Sequence, residues 1–171
     1  MKFKTIFAGF LCLLLILLLG VTPVFSEDKY IQVTGEKVNI RFKNNSNSTI
    51  IAKAKKGDIF ELISEKGNWF EINIFSGEYR YIHKSLGKIV SYVPALPQSE
   101  SNRKAIFHEL LMIEDKADSE ANRKYPGDIY KMIDYCRILD DRYKLEIFHC
   151  YNVQPPIYTK LIVEGVKKGW K

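Results

Sequence analysis

The sequence predicts an α+β protein in which a small all-β unit precedes a set of helices, the whole chain fitted with an export leader. Three observations carry this reading. An uncharged apolar run follows two N-terminal lysines. Short β-branched and aromatic segments alternate with turn formers up to about residue 90. After residue 99 the apolar spacing becomes helical.

The leader comes first. Lys2 and Lys4 precede an uncharged stretch from Ile6 to Val21, and Thr22-Pro23 then breaks the segment. A positive end followed by a greasy run is what the export machinery reads, the lysines staying on the cytoplasmic side. Val24-Phe25-Ser26 places cleavage before Glu27, making residues 1–26 a signal peptide. Counted to Phe25 the apolar run is about 20 residues, also enough for an uncleaved membrane anchor. Cys12 lies inside that run without a small residue just before it, which argues against a lipoprotein. In either case the remainder faces outward: periplasmic or secreted if cleaved, membrane-anchored if not.

Between residues 27 and 90 the segments Tyr30–Val33, Lys37–Phe42, Ile50–Ala54, Asp58–Ile63, Trp69–Phe75 and Tyr79–Ile82 read as strands. Gly35, the polar loop Asn44–Ser48, Lys56-Gly57, Lys66-Gly67-Asn68 and Ser76-Gly77 separate them. Short strands at such spacing describe a small sandwich or barrel. Residues 91–98, with Pro94 and Pro97, read as a linker.

Residues 99–171 read as three helices. The first starts at Ser99 or Ser101 as N-cap, presents Ile106, Leu110, Ile113, Ala117 and Ala121 on one face, and ends at Pro126-Gly127. The second is capped by Asp128 and carries the stripe Ile129, Met132, Ile133, Cys136, Leu139, Tyr143, Ile147 and Cys150, long enough to engage a partner. The third opens at Pro155-Pro156, buries Ile157, Leu161, Ile162 and Val166, and stops near Gly169.

Charge excludes one class of function. Losing Lys2 and Lys4 takes the formal charge from +6 to +4, and the rest divides evenly between the two halves with signs interspersed. A nucleic-acid partner needs a clustered basic face, so none is expected. Neither is a metal or other cofactor: His83, His108 and His149 fall in separate elements without ligand spacing. A cysteine hydrolase would need Cys136 or Cys150 beside His108 or His149. His149 and Cys150 are sequence neighbours and diverge on a helix, and the cysteines lie on the apolar stripe, where a buried free thiol is the simpler reading. If the helix is continuous, fourteen residues separate them by about 21 Å, too far for a disulfide. A bridge within the chain requires the helix to end before Cys150; otherwise both thiols are free or one pairs between chains. The acids Glu114, Asp115, Asp118, Glu120, Asp140 and Asp141 read as solvated helix faces.

The β segment resembles a known family. Val38-Asn39-Ile40-Arg41, a polar loop, Lys56-Gly57-Asp58, Trp69-x-x-Ile72, Gly77 and Tyr81-Ile82-His83 follow the order and spacing of the bacterial SH3 domain over residues 29–90. That family reads V-N-[IVL]-R, a Gly/Ser-rich loop, K-G-[DE], W-x-x-V and G-x-x-G-[WY]-[IV]-H. Two positions depart: the loop reads Phe42-Lys43-Asn44-Asn45-Ser46, and Arg80 stands where a glycine is usual. The resemblance implies an SH3-like barrel, non-catalytic, that holds peptidoglycan or an envelope peptide or positions a neighbouring domain. Trp69, Tyr79 and Tyr81 would stack on such a ligand, with Asn39 and Arg41 as polar partners; alternatively Trp69 and Tyr81 fill the barrel. The alternation of Trp69, Glu71 and Asn73 against Phe70, Ile72 and Ile74 puts Trp69 on the more polar face. The expectation is therefore an exported binding or adaptor protein whose helices contact a partner. Its alternative is a cell-wall hydrolase or the regulatory subunit of one. The helical part resembles no family.

Overall fold

The computed structural model describes residues 28–170 apart from Ser76, Glu78 and Val93, so the expected leader and its cleavage site lie outside the described residues. Among the described residues no helix is long and apolar enough to cross a membrane.

Seven strands form one antiparallel sheet: β1 (Lys29–Val33), β2 (Lys37–Arg41), β3 (Ile50–Lys55), β4 (Ile59–Lys66), β5 (Trp69–Asn73), β6 (Tyr79–His83) and β7 (Gly87–Ser91). Their spatial order is β3-β2-β6-β5-β4-β1-β7. The first six were legible from alternation. β7 was not, because Gly87–Ser91 is mostly exposed and lacks an apolar face of its own. It pairs along β1 from Lys29↔Ser91 to Val33↔Gly87, using chain that the sequence suggests is connection.

Period-two patterning explains the core. Val38 and Ile40, Ala52 and Ala54, Phe70 and Ile72, and Ile82 point inward and are nearly fully buried. The Lys56-Gly57-Asp58 turn works as its residue types suggest. Gly57 sits at φ 94°, and Asp58 Oδ2 accepts from the Lys55 amide at 2.7 Å. Trp69 and Tyr81 do not fill the barrel; Phe60 and Phe70 supply the large aromatic volume, buried to 0 and 6 % exposure.

Four α-helices follow: α1 (Glu100–Leu111), α2 (Ile113–Lys124), α3 (Ile129–Cys150) and α4 (Tyr158–Lys168). The expected first helix is thus divided at Met112. α1 buries Ile106, Phe107 and Leu110, while α2 buries Ile113, Ala117 and Ala121 and packs on α3. The expected caps are present: Ser99 accepts from the Asn102 amide at 3.3 Å and Asp128 from the Lys131 amide at 3.1 Å. Gly169 ends α4 at φ 61°.

Two expectations about buried faces are corrected. Val166 is 70 % exposed, because α4 turns Leu161 and Gly165 inward instead. A Cβ on Gly165 would stand 2.3 Å from the Phe107 ring. On α3 the expected stripe is half of the story. Leu139 is buried and Tyr143 and Ile147 pack against the core, but Ile129 and Ile133 are exposed and Cys150 is open to solvent. A second face, Asp141, Leu145 and Phe148, is buried against the sheet. The polar residues on it hid it from a search for apolar periodicity.

α3 lies along β3, the sheet's outer strand, and so covers an edge that would otherwise offer unpaired backbone groups. Sheet and helices share one apolar cluster: Ile31, Ile40, Phe60, Ile72 and Ile82 are continuous with Ile106, Leu110, Leu145, Phe148, Ile157 and Leu161. Phe75 links the two, its ring 5.0 Å from Phe148 and 5.4 Å from Tyr158. Polar contacts cross the same junction. Arg80 Nε and Nη2 reach Asp141 Oδ2 at 2.9 and 2.8 Å, and His149 Nε2 lies 2.8 Å from Asp58 Oδ2. Gln154 Oε1 accepts from the Ile59 amide at 2.8 Å.

Candidate ligand-binding face

The face of the sheet away from the core collects all five residues expected to bind a ligand. Register sets Arg41 and Glu71 on either side of Tyr81, Trp69 opposite His83, and Asn73 opposite Tyr79. Asn39 is two residues from Arg41 and shares its side.

The five do not converge on one pocket. Tyr79 and Tyr81 line a cavity of about 390 Å³ with Phe42, Lys43, Asn44, Gly77 and Arg80. Tyr79 is 51 % exposed there, and Phe42 36 %. Trp69 sits at the far end of the β5–β6 pair, about 13 Å along the strand, edge-on to the His83 ring at 5.1 Å. Arg41 holds the loop that shapes the cavity: its Nη1 donates to the Ser48 carbonyl at 2.7 Å. The loop is closed further by the Lys43 amide donating to Ser48 Oγ at 2.7 Å and the Phe42 amide to the Thr49 carbonyl at 3.0 Å. A Gly/Ser-rich family loop is thus replaced by one tied by its own polar side chains.

Beneath the face lies a buried carboxylate. Glu71 is 6 % exposed and accepts from Ser64 Oγ at 2.5 Å and from the Tyr81 hydroxyl at 2.7 Å, with Lys66 Nζ at 3.7 Å. The Ser64 hydrogen bond, with lesser help from Tyr81 and Lys66, holds its pKa below the ordinary value of 4.5 against the opposing pull of burial. Burial, then the bond to Glu71, pushes the Tyr81 phenol up to about 12, so its hydroxyl stays a donor. Tyr81 is thereby fixed in orientation, whereas Tyr79 is free to meet a ligand.

Of the groups considered for chemistry, Cys136, His149 and His83 are engaged with neighbouring side chains or backbone. Cys136 is half-buried and not in the core; its thiol donates to Asp118 Oδ1 at 2.9 Å. Burial and that acid push it up to about 12, the opposite of what a nucleophilic thiolate requires. His149 faces Asp58, and His83 caps a short 3₁₀ turn, accepting from the Ser85 amide. Among the described residues no three His, Cys, Asp or Glu side chains gather where they could hold a metal.

Several acids read as solvated are not. Asp141 is fully buried on Arg80, and Glu120 accepts from the hydroxyls of Tyr143 at 2.5 Å and Tyr135 at 3.3 Å across the α2–α3 interface. Arg80 carried the signal for Asp141. A cation replacing glycine at an inward register position must meet a buried acid or unfold the sheet.

The architecture defines an SH3-like β domain extended by helices. Residues 36–88 match the family model of the bacterial SH3 domain, so the chain carries one. No curated protein and no solved structure gives a significant match. The match leaves out β1 and most of β7, although β1 lies between β4 and β7, so the folded unit is larger than the matched segment. The helical part lies outside the match.

Proposed function

We infer that this is an exported, non-catalytic binding protein whose SH3-like domain holds a cell-envelope ligand, peptidoglycan or a peptide, in the groove between Phe42 and Tyr79. The observation that carries the reading is the half-exposed Tyr79 beside Phe42 and Lys43, an aromatic wall with a cation at its rim. An aromatic face of this kind stacks on a sugar ring or a peptide bond while its hydroxyl remains in water. The protonated, acid-bound Cys136 supports a non-catalytic role. The helices buttress the sheet, and the solvent-exposed start of α3, with Ile129, Tyr130 and Ile133, is where they would meet a second protein.

The test uses residues 27–171 as a unit, because sheet and helices share a core. Retention on insoluble peptidoglycan should fall about fivefold in Tyr79→Ala, equivalent to about 1 kcal/mol of lost stacking. Equal retention of the two proteins would remove the groove from consideration. N-terminal sequencing of the exported protein decides the leader: a start at Glu27 means a soluble product, and retention of Met1 an outward-facing anchored one.

A further inference from the structure

The even division of charge along the chain conceals a face that is not even. β3, β2 and β6 are adjacent strands on one side of the sheet and contain no Asp or Glu. Of their cations Arg80 turns inward, but Lys37, Arg41, Lys53 and Lys55 alternate with buried Val38, Ile40, Ala52 and Ala54 and therefore point outward. Register sets Lys37 directly opposite Lys55, and Asn39 opposite Lys53. Like charges facing each other across an antiparallel pair weaken it. Nothing offsets this one: among the described residues Lys37, Lys53 and Lys55 take part in no ion pair.

The nearby acids are engaged or stand off. Glu36 pairs with Lys56 at 3.0 Å and Asp58 faces His149, while Glu146 lines a cavity with Lys53 without bonding to it. The sheet's other acids, Glu61, Glu65 and Glu71, sit on β4 and β5. Beyond the end of β2, Lys43 continues the row into the Tyr79 groove.

We propose that the outward face of β2 and β3 binds a linear, phosphate-bearing polyanion of the cell envelope, lying along β2 from Lys37 and Lys55 towards Lys43. The proposal rests on the reading of the protein as an envelope binder and adds the charge class of what it holds. A polymer fits better than a free phosphate because the cations stand in a row, at about 6.6 Å between outward residues of a strand, and do not converge on a point. Lysines suit this ligand as mobile point charges that need no fixed fork geometry. Within β2 and β3 the large apolar side chain that is exposed is Ile50, at 39 %, and Phe42 and Tyr79 follow it only in the groove at the end of the face.

Long-chain polyphosphate is the probe, titrated against residues 27–171. With four cations each neutralising one phosphate, affinity should fall about 50-fold between 50 and 200 mM salt. The triple variant Lys37→Gln/Lys53→Gln/Lys55→Gln should bind at least about tenfold more weakly at low salt, with a flatter salt dependence. Its melting temperature should not drop, since a like-charged pair has been relieved. Unchanged affinity in a folded triple variant, or binding insensitive to salt, would overturn the proposal. So would tighter binding to oligothymidine of equal charge, which points to nucleic acid, or capture by phosphatidylglycerol vesicles without polyphosphate binding, which points to a membrane. The triple variant should keep its retention on peptidoglycan stripped of anionic polymers. Loss of that retention in the unaltered protein, with polyphosphate binding intact, would sink the groove reading and leave this one standing.

Discussion

The sheet and helix α3 bury their residues by different rules. On β2, β3, β5 and β6 the inward positions are apolar apart from Arg80, so which side of each strand faces the core follows from alternation alone. On α3 the side facing the sheet mixes Leu145 and Phe148 with Asp141, Arg142 and His149, whose polar atoms reach Arg80, the Ile51 carbonyl and Asp58. Apolar contact is non-directional and would let a helix slide or rotate over a curved sheet. The charged contacts remove that freedom, because a displaced helix would pull the Asp141 carboxylate away from the buried Arg80 guanidinium. Greasy packing thus joins sheet and helices, and buried polarity fixes where α3 sits on the sheet.

The strongest way to break this contrast is Asp141→Ala. It takes the Asp141 carboxylate away from Arg80, 1 % exposed, and should cost about 3 kcal/mol, read as a lowered midpoint in urea unfolding. The contrast is sharpened by Arg80→Met/Asp141→Leu, which should recover most of that loss, since a well-packed apolar pair often equals a buried ion pair. A smaller loss, about 1–3 kcal/mol, is expected from Gly165→Ala, whose added methyl must displace the Phe107 ring and so loosen α1 from α4 without touching the sheet. Equal melting of this variant and the parent would show that the α1–α4 contact is slack.

The smallest effect belongs to Glu71 and appears only in acid. Its folded pKa is lowered, so the stability it contributes is complete above the unfolded carboxyl value near 4.5 and is lost as pH falls through the folded value. Glu71→Gln should therefore flatten the decline of thermal stability below about pH 4.5 and leave the profile at neutral pH parallel to that of the parent. An identical acid limb in both proteins would mean that Ser64 and Tyr81 do not favour the ionised form.

What could be read from the sequence follows the same division. Six strands, the Gly57-Asp58 turn, the Ser99 and Asp128 caps and the shared face of Asn39, Arg41, Trp69, Tyr79 and Tyr81 all rest on local rules, and the structure has them. β7 was missed because an exposed strand paired to a distant one leaves no local pattern. The sheet-facing side of α3 was missed because Asp141 and Arg142 look solvated until the first is seen to meet Arg80 and the second the Ile51 carbonyl. The groove was legible only in part. Alternation puts Trp69 and Tyr79 on one face, but their separation along the β5–β6 pair depends on register, which a single strand does not reveal. The cationic face was invisible to a tally along the chain, because Lys37 and Lys55 become neighbours only when β2 meets β3.

The continuous apolar cluster has a consequence in time. Ile31, near the start of the described chain, is completed by Ile157 and Leu161 more than a hundred residues later, and β1 gains its second neighbour only with β7. Contacts of such long sequence separation form late and slowly. A chain emerging from its N-terminus would thus expose the bare inner side of the sheet until α4 arrives. The order of synthesis and the order of stability run in opposite directions, and the helices act as the latch that closes the fold last.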